Sequence, residues 1–150
     1  MKRINCLVQE HIFSKEDIKN IEHSFRKLYS ENYSKEKLTI YWMIFPKGSA
    51  YAERRPSNAT IIMVEVNDDI KKSKREEMMK LYSDFLADEY NVSPLDSIIT
   101  IANSTWVDQF FEAQQNRVHP RYRFWIELKT LSTALVSKWT SGFLRLRVKY

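Results

Sequence analysis

The sequence predicts an α+β fold built from two β-α-β units in one domain, and two observations support this prediction. The first is the order of elements, which run strand, helix, strand twice over, at residues 4–9, 15–32 and 38–45 and then at 60–66, 70–90 and 97–102. The second is a recurrence of the helical stripe 57 residues along the chain, from Ile21, Phe25, Leu28, Tyr29 and Tyr33 to Met78, Tyr82, Phe85, Leu86 and Tyr90. Repeat one therefore spans about 1–56, repeat two about 57–103, and an extension covers 104–150.

Local signals define the first unit. Ser14 is a favourable N-cap for its helix, and Glu16 and Asp17 follow in the first turn, where the helix dipole favours acids. The strand over 38–45 is apolar on both faces and ends at the turn 46–48. Because β-α-β connections are right-handed, both helices are expected on one face of the sheet. The other face then lacks a helix, which predicts self-association.

The extension beyond Asn103 carries weaker signals. Residues 106–115 are predicted as a loop or short helix, and Pro120 precedes a helical stretch with one apolar stripe, formed by Trp125, Leu128, Leu131, Leu135 and Trp139. Such a stripe is more often core or subunit contact than a ligand site. Residues 144–148 alternate apolar residues with arginine, which predicts an edge strand, in this chain's sheet or in a neighbouring subunit's.

Composition excludes several classes of protein. The single cysteine, Cys6, cannot form an intrachain disulfide and fits a cytoplasmic protein. Cys6 and three scattered histidines have no metal-site spacing, and two glycines are too few for a glycine-rich phosphate loop, so we expect no metal and no cofactor. The apolar runs are strand-sized, so no membrane span is predicted, and no signal peptide is recognisable at the start of the chain.

Charge is concentrated at the end of the chain. Residues 117–150 contain eight Lys and Arg against one acid, Glu127, so this segment carries +7 while the whole chain carries +5. Such a segment suits nucleic acid or another polyanion. The favoured alternative is a solvated helix face beside a subunit contact, because core-type aromatic residues lie between the charges. We expect no nucleic-acid partner from this sequence, since no recognition motif accompanies the charge.

Several segments together resemble the tautomerase superfamily, in its cis-3-chloroacrylic acid dehalogenase branch. They are the short lead into the first strand, His11-Ile12-Phe13 before the Ser14 cap, the turn 45–48, and Phe110-Phe111-Glu112 after the last repeat strand. The resemblance implies a homotrimer of two-unit subunits that acts on a small carboxylate substrate. It also implies catalysis by an N-terminal proline, which removal of the initiator methionine exposes.

Lys2 occupies the slot of that proline. A lysine side-chain amine has a reference pKa of about 10.4, so it cannot act by the proline's route. A bulky Lys2 also disfavours removal of Met1. Two interpretations remain: an amine of Lys2 or Met1 tuned by its surroundings, able even to form a Schiff base, or the loss of the catalytic group. The second is favoured.

The other family positions are mixed. A histidine late in the first helix falls on Tyr29, which is more typical of core. Two substrate-binding arginines fall near Asp68 and Lys71, and Lys71 and Lys72 belong equally to a solvated run. The water-activating glutamate falls on Glu112, which is either a general base or a surface residue. A tyrosine of the family's last repeat strand falls on Ile101.

One cationic pair lies between the two units. Arg54 and Arg55 suit a substrate carboxylate or phosphate, although arginines in turns are often simply solvated. Two functional hypotheses follow. The first is a tautomerase-superfamily protein that acts on a small enol or keto acid by an altered mechanism or with degenerate activity. The second is a non-catalytic trimeric binding module whose basic C-terminal segment contacts a polyanion or a protein.

Overall fold

The computed structural model of this chain describes residues 1–52 and 55–146, with side chains described throughout except at 52, 55, 56, 114 and 115. Eleven elements follow one another in these ranges. They are β1 (Lys2–Gln9), α1 (Lys15–Asn32), β2 (Leu38–Phe45), β3 (Tyr51–Ala52), β4 (Arg55–Pro56), β5 (Thr60–Val66), α2 (Lys72–Tyr90), β6 (Ser97–Asn103), α3 (Ser104–Asn116), α4 (Pro120–Ser141) and β7 (Leu144–Leu146).

Five strands form one mixed sheet in the order β6-β5-β1-β2-β7. β1 pairs in parallel with β2 and β5 in parallel with β6, so each predicted unit is a β-α-β unit with a parallel return strand. The units meet where β1 and β5 pair antiparallel, with Cys6 opposite Ile62. β3 and β4 form a small separate ladder between them. The α+β prediction is confirmed.

Helix boundaries follow from local chemistry. At the start of α1, Ser14 Oγ accepts from the Asp17 N–H at 3.0 Å, and the Asp17 carboxylate accepts from the Ser14 N–H at 2.8 Å. This reciprocal capping box satisfies two amides that the helix leaves unpaired. α2 begins at Lys72, two residues later than predicted, and ends at Asn91, whose φ of 53° terminates the helix in the left-handed region.

The core lies between α1, α2 and one face of the sheet. The equivalent residues of the two units meet there: the rings of Phe25 and Tyr82 lie 4.8 Å apart, nearly perpendicular. The sheet contributes fully buried side chains from its central strands, among them Ile4, Cys6 and Val64. Burial of each large apolar side chain stabilises the fold by about 1.5–3 kcal/mol. The recurring stripe of the sequence is therefore the stripe that builds the core.

The opposite face of the sheet is apolar and only partly covered. Strand register places Leu7 beside Met43 and Ile61, and Ile61 beside Ile98. We call this surface the open sheet face; its apolar members are Leu7, Met43, Phe45, Ile61, Met63 and Ile98. Ile98 is 54% exposed and the others are partly exposed. α3 reaches this side at the end of the sheet where Arg3 lies, through Asp108 and Phe111.

The extension contains a helix and an edge strand, each among the alternatives that the sequence left open. Residues 104–116 form a complete helix, and β7 pairs in parallel with β2 of the same chain, from Tyr41 opposite Leu144 to Met43 opposite Leu146. The remaining part of the predicted edge strand, 147–148, lies outside the described residues. The stripe of α4 is exposed, so these residues are not part of the core of this chain. Across the described ranges, no helix has both the length and the apolar character that crossing a membrane requires.

Candidate functional site

The site is built around Lys2, the second residue of the chain and the first of β1. Its side chain is 8% exposed. The Lys2 amine donates to Ser104 Oγ at 2.5 Å, and Ser104 Oγ donates in turn to the carbonyl of Val66 at 3.0 Å. The head of β1 is thereby tied to the end of β5 and the first residue of α3. A buried ammonium group must have such partners, because an unpaired one is costly.

An acid and a second cation lie close to this amine. The Asp68 carboxylate accepts from the N–H of Thr105 at 3.2 Å and from its hydroxyl. The Thr105 hydroxyl, and to a lesser extent the charges of Lys2 and Arg75, hold the pKa of Asp68 below its ordinary value. Arg75 donates to the side-chain carbonyl of Asn103 and, at 3.2 Å, to the backbone carbonyl of Ile70. We call Lys2, Asp68, Arg75, Asn103 and Ser104 the polar corner.

A second set of charges lies on the open sheet face beside the polar corner. Arg3 Nε donates to Glu65 Oε2 at 2.7 Å, and the same guanidinium pairs with Asp108 of α3. The Arg3 guanidinium carbon lies 5.4 Å from the centre of the Phe111 ring, within cation–π distance. The hydrogen bond to Glu65 is the main reason that the pKa of Arg3 is raised. Glu65 anchors Arg3 within the sheet, and the contacts of Arg3 with Asp108 and Phe111 join α3 to the sheet.

Tyr29 lies in the core on the helix side of the same sheet end. Its hydroxyl donates to the backbone carbonyl of Glu65 at 3.0 Å, and burial raises its pKa well above the ordinary value. Tyr33, one turn later, accepts from the N–H of Asn67 at 2.6 Å. Tyr29 therefore holds the end of β5 in place, and its hydroxyl proton is used in the hydrogen bond to the Glu65 carbonyl.

The other predicted residues lie apart from the amine. Glu112 is exposed on α3, next to the Phe111 that contacts Arg3. Lys71 is the exposed N-cap residue of α2, and Lys72 lies 3.7 Å from Glu76 across one turn. No described contact joins these three side chains to Lys2. Arg54 lies outside the described residues; of Arg55 only the backbone is described, in β4.

Sequence reasoning missed the polar partners of the first strand. Glu65 is the only acid in an otherwise apolar strand, and that isolation was the signal available for it. Ser104 had no such signal, because it lies 102 residues from Lys2. Within 1–52 and 55–146, no cluster of three or more His, Cys, Asp or Glu side chains is placed to hold a metal ion.

Solved structures share this architecture. One is N1, a member of the cis-3-chloroacrylic acid dehalogenase family, at a TM-score of 0.62 and 8% identity over 67% of this chain and 73% of that one. The chain has a tautomerase-like fold. A second structure with this fold is a protein inactivated by 2-oxo-3-pentynoate, with a TM-score of 0.61, 9% identity, and coverage of 67% and 84%. A third is the asymmetric trimer of wild-type fused 4-OT, with a TM-score of 0.60, 7% identity, and coverage of 67% and 85%.

These likenesses are confined to the fold. Searches with the sequence against protein-family models and against curated proteins give no match. The share of this chain that is covered, 67%, is close to the share taken up by the two units of this tautomerase-like fold.

Proposed function

We propose that this chain is a tautomerase-superfamily protein that acts on a small enol or keto acid by an altered mechanism or with weak activity. The observation that carries the proposal is the place of the Lys2 amine, at the head of β1 in a tautomerase-like fold and beside Asp68 and Arg75. By the resemblance in sequence, the family's proline slot falls on Lys2, so in this proposal a different amine takes its place. The whole of 1–150 acts as one domain in this proposal.

The altered mechanism is a proton transfer through that amine. The Lys2 ammonium gives a proton to the carbon of a bound enol, and the electrons of the C=C bond form the new C–H bond. The enol O–H proton returns to the amine as the C=O bond forms, so the amine ends as it began. Ser104, which accepts from Lys2 at 2.5 Å, aligns the amine for both steps.

The remaining predicted residues complete the proposal. Arg54 and Arg55, with Lys71 and Lys72, are the candidates for binding the substrate carboxylate. Arg3 is unsuited to that role because Glu65 and Asp108 already occupy its guanidinium. Glu112 is the candidate for activating water. Tyr29 supports the site from the core through its hydrogen bond to the Glu65 carbonyl. Assembly as a homotrimer is proposed by analogy with the trimeric 4-OT neighbour.

Covalent labelling tests the amine directly. 2-Oxo-3-pentynoate inactivates one protein of this fold, and its alkyne accepts amines. A free Lys2 amine would form an N–C bond to the alkyne carbon remote from the carbonyl while the neighbouring carbon takes up a proton, so the mass rises by one whole reagent. We expect a single adduct that peptide mapping assigns to Lys2 and that Lys2→Ala removes. Lys80→Ala, at a lysine of α2 whose side chain is 75% exposed and which has no role in the proposal, is the matched control. Equal labelling of many lysines would contradict the proposal.

Turnover is tested separately. Ketonisation of phenylenolpyruvate should be measurable above the buffer rate and should fall on Lys2→Ala, with Lys80→Ala unchanged. Intact mass shows which species is measured, because it reports whether Met1 is retained. Absence of ketonisation in wild type and variant alike would sink the enzymatic proposal.

The second candidate function, a non-catalytic binding module, is favoured by the exposed apolar and basic surface of α4. In that case the C-terminal segment binds a polyanion or a protein partner while the polar corner is only structural. Binding of a nucleic acid duplex that persists at about 0.15 M salt would support it, since generic electrostatic contact weakens steeply with salt.

A further inference from the structure

Helix α4 exposes a long stripe of large apolar side chains. Its members are between 45% and 93% exposed, and they are Phe124, Trp125, Leu128, Leu131, Leu135 and Trp139. We call this surface the arm stripe. Counting about 150–250 Å² for a fully exposed aromatic side chain, the stripe exposes on the order of 800 Å². The largest apolar patch of a typical monomer is roughly 300–600 Å². The arm stripe therefore has the size of one side of a standard protein interface, about 800 Å².

The chain cannot cover this stripe with its own sheet. The buried positions of α4 are Ala134 and Ser137, and Ser137 Oγ accepts from the N–H of Arg145 in β7 at 2.8 Å. At 100° per residue, the middle of the arm stripe lies roughly 145° around the helix from these two residues. The attachment of α4 to β7 thus turns the stripe away from the chain that carries it.

A second copy offers a surface of matching kind and size. The open sheet face is apolar. α3 contacts it at the end where Arg3 lies, whereas α1 and α2 together cover the other face. The arm stripe from Phe124 to Trp139 is about 22 Å long, and five strands span about 19 Å. Helices cover sheets in this way throughout α+β proteins.

Net charge favours the same partner. Residues 117–150 carry a net charge of +7, whereas the whole chain carries +5. The rest of the chain therefore carries −2. Two arms side by side would repel each other, whereas an arm against the body of another copy is attractive. Contact between unlike surfaces is heterologous, and it closes into a ring when the rotation allows.

We propose that α4 of one copy lays its arm stripe across the open sheet face of the next copy. This deepens the proposed assembly, because it assigns the contact that holds the copies together, and it rests on self-association but not on catalysis.

Two variants, one for each surface, test the proposal by light scattering. Leu131→Asp/Leu135→Asp places charges in the arm stripe, and Ile98→Asp places one on the open sheet face. Each should lower the wild-type oligomer to monomer at micromolar concentration, while Leu95→Asp, at a residue 93% exposed outside both surfaces, should not. Circular dichroism checks folding; if Ile98→Asp unfolds, Thr100→Arg on the same face replaces it.

Mixing the two variants gives the sharpest readout. The arm variant keeps an intact sheet face and the sheet variant keeps an intact arm, so an equimolar mixture should form a heterodimer. If each variant is monomeric and the mixture stays monomeric, the two surfaces do not meet and the proposal is overturned. If the arm variant keeps the oligomeric mass of the wild type, the contact through the arm stripe is wrong, although a trimer held by other contacts would remain consistent with the data.

Two further outcomes separate the alternatives. A wild-type protein that is monomeric would overturn this proposal and the trimer together, without touching the labelling result at Lys2. Sedimentation with phosphatidylserine vesicles tests the remaining alternative, in which an anionic membrane surface covers the arm stripe. If wild type is monomeric and sediments with the vesicles, and the arm variant does not, the stripe belongs to an anionic membrane surface and the proposed contact is wrong.

Discussion

Lys2 is a charged residue with little exposure, and its surroundings explain how the fold accommodates it. The amine has Ser104 as acceptor, with Asp68 close enough to influence its charge. A hydrophobic residue would fit this strand position with less cost in solvation. A lysine at this position, among hydrogen-bonding groups at one end of the sheet, can therefore serve either catalysis or the specific structure of the fold.

The contribution of the Lys2–Ser104 pair is measurable. Ser104→Ala removes the acceptor of the buried amine and the donor to the Val66 carbonyl, so we expect a loss of about 1–3 kcal/mol in the free energy of unfolding. Urea denaturation at pH 7 measures it, with Ser97→Ala at the start of the preceding strand as the control. In a double-mutant cycle with Lys2→Met, the loss of unfolding free energy in the double variant should be smaller than the sum of the losses in the two single variants. Additive losses would show that the pair is not coupled.

Individual residues also show where sequence reasoning stops. The Ser14 cap was predictable because every atom of a capping box lies within four residues of chain. The pairing of Lys2 with Ser104 was not, because local patterns carry no information about which distant side chains meet. The candidate roles of Arg54 and Arg55 remain predictions.

At the scale of elements, periodicity predicted the strands and helices of both units closely. It failed to predict what α4 does. A stripe at helical spacing shows which residues share a face, but not whether the same chain supplies a partner for that face. The stripes of α1 and α4 look alike in sequence, yet Phe25 is buried while Trp139 is almost fully exposed.

The junction between α4 and β7 depends on Gly142. Its φ of 85° is in the left-handed region, and a Cβ at this position would lie 2.6 Å from Lys19 Cε. Gly142→Ala should therefore destabilise the protein by about 1–2 kcal/mol from backbone conformation, and further by displacing Lys19. Gly48→Ala is the matched control, because Gly48 has a φ of 78° but open space around it. Thermal unfolding compares the two; an equal loss would mean that the Lys19 contact costs nothing.

At the scale of the whole molecule, the fold has a well-buried core but also exposes two apolar surfaces. The two units bury one face of the sheet with their own helices, which is why composition and periodicity were enough to predict the α+β class. The open sheet face and the arm stripe remain without partners in the described chain. Both are apolar, so removing them from water would be favourable.

The stability of the whole molecule should also depend on alkaline pH. Burial raises the pKa of Cys6, Tyr29 and Tyr82 above their ordinary values. In the unfolded chain these groups lose their protons near pH 8.5 for cysteine and about 10 for tyrosine. The folded chain then binds more protons than the unfolded chain, so the free energy of unfolding falls as pH rises. Below about pH 8 their contribution is complete and constant.

Tyr82→Phe isolates one of these groups because it keeps the ring against Phe25 and removes the hydroxyl, whose bond to the Phe25 carbonyl is long at 3.4 Å. Above pH 10 the wild type should lose stability more steeply than the variant, by about 1.4 kcal/mol per pH unit for one proton. Between pH 6 and 8 the difference between the two proteins should stay constant. Urea denaturation across pH 6–11 measures both ranges. Parallel curves at all pH values would mean that Tyr82 ionises as readily in the folded chain as in the unfolded one.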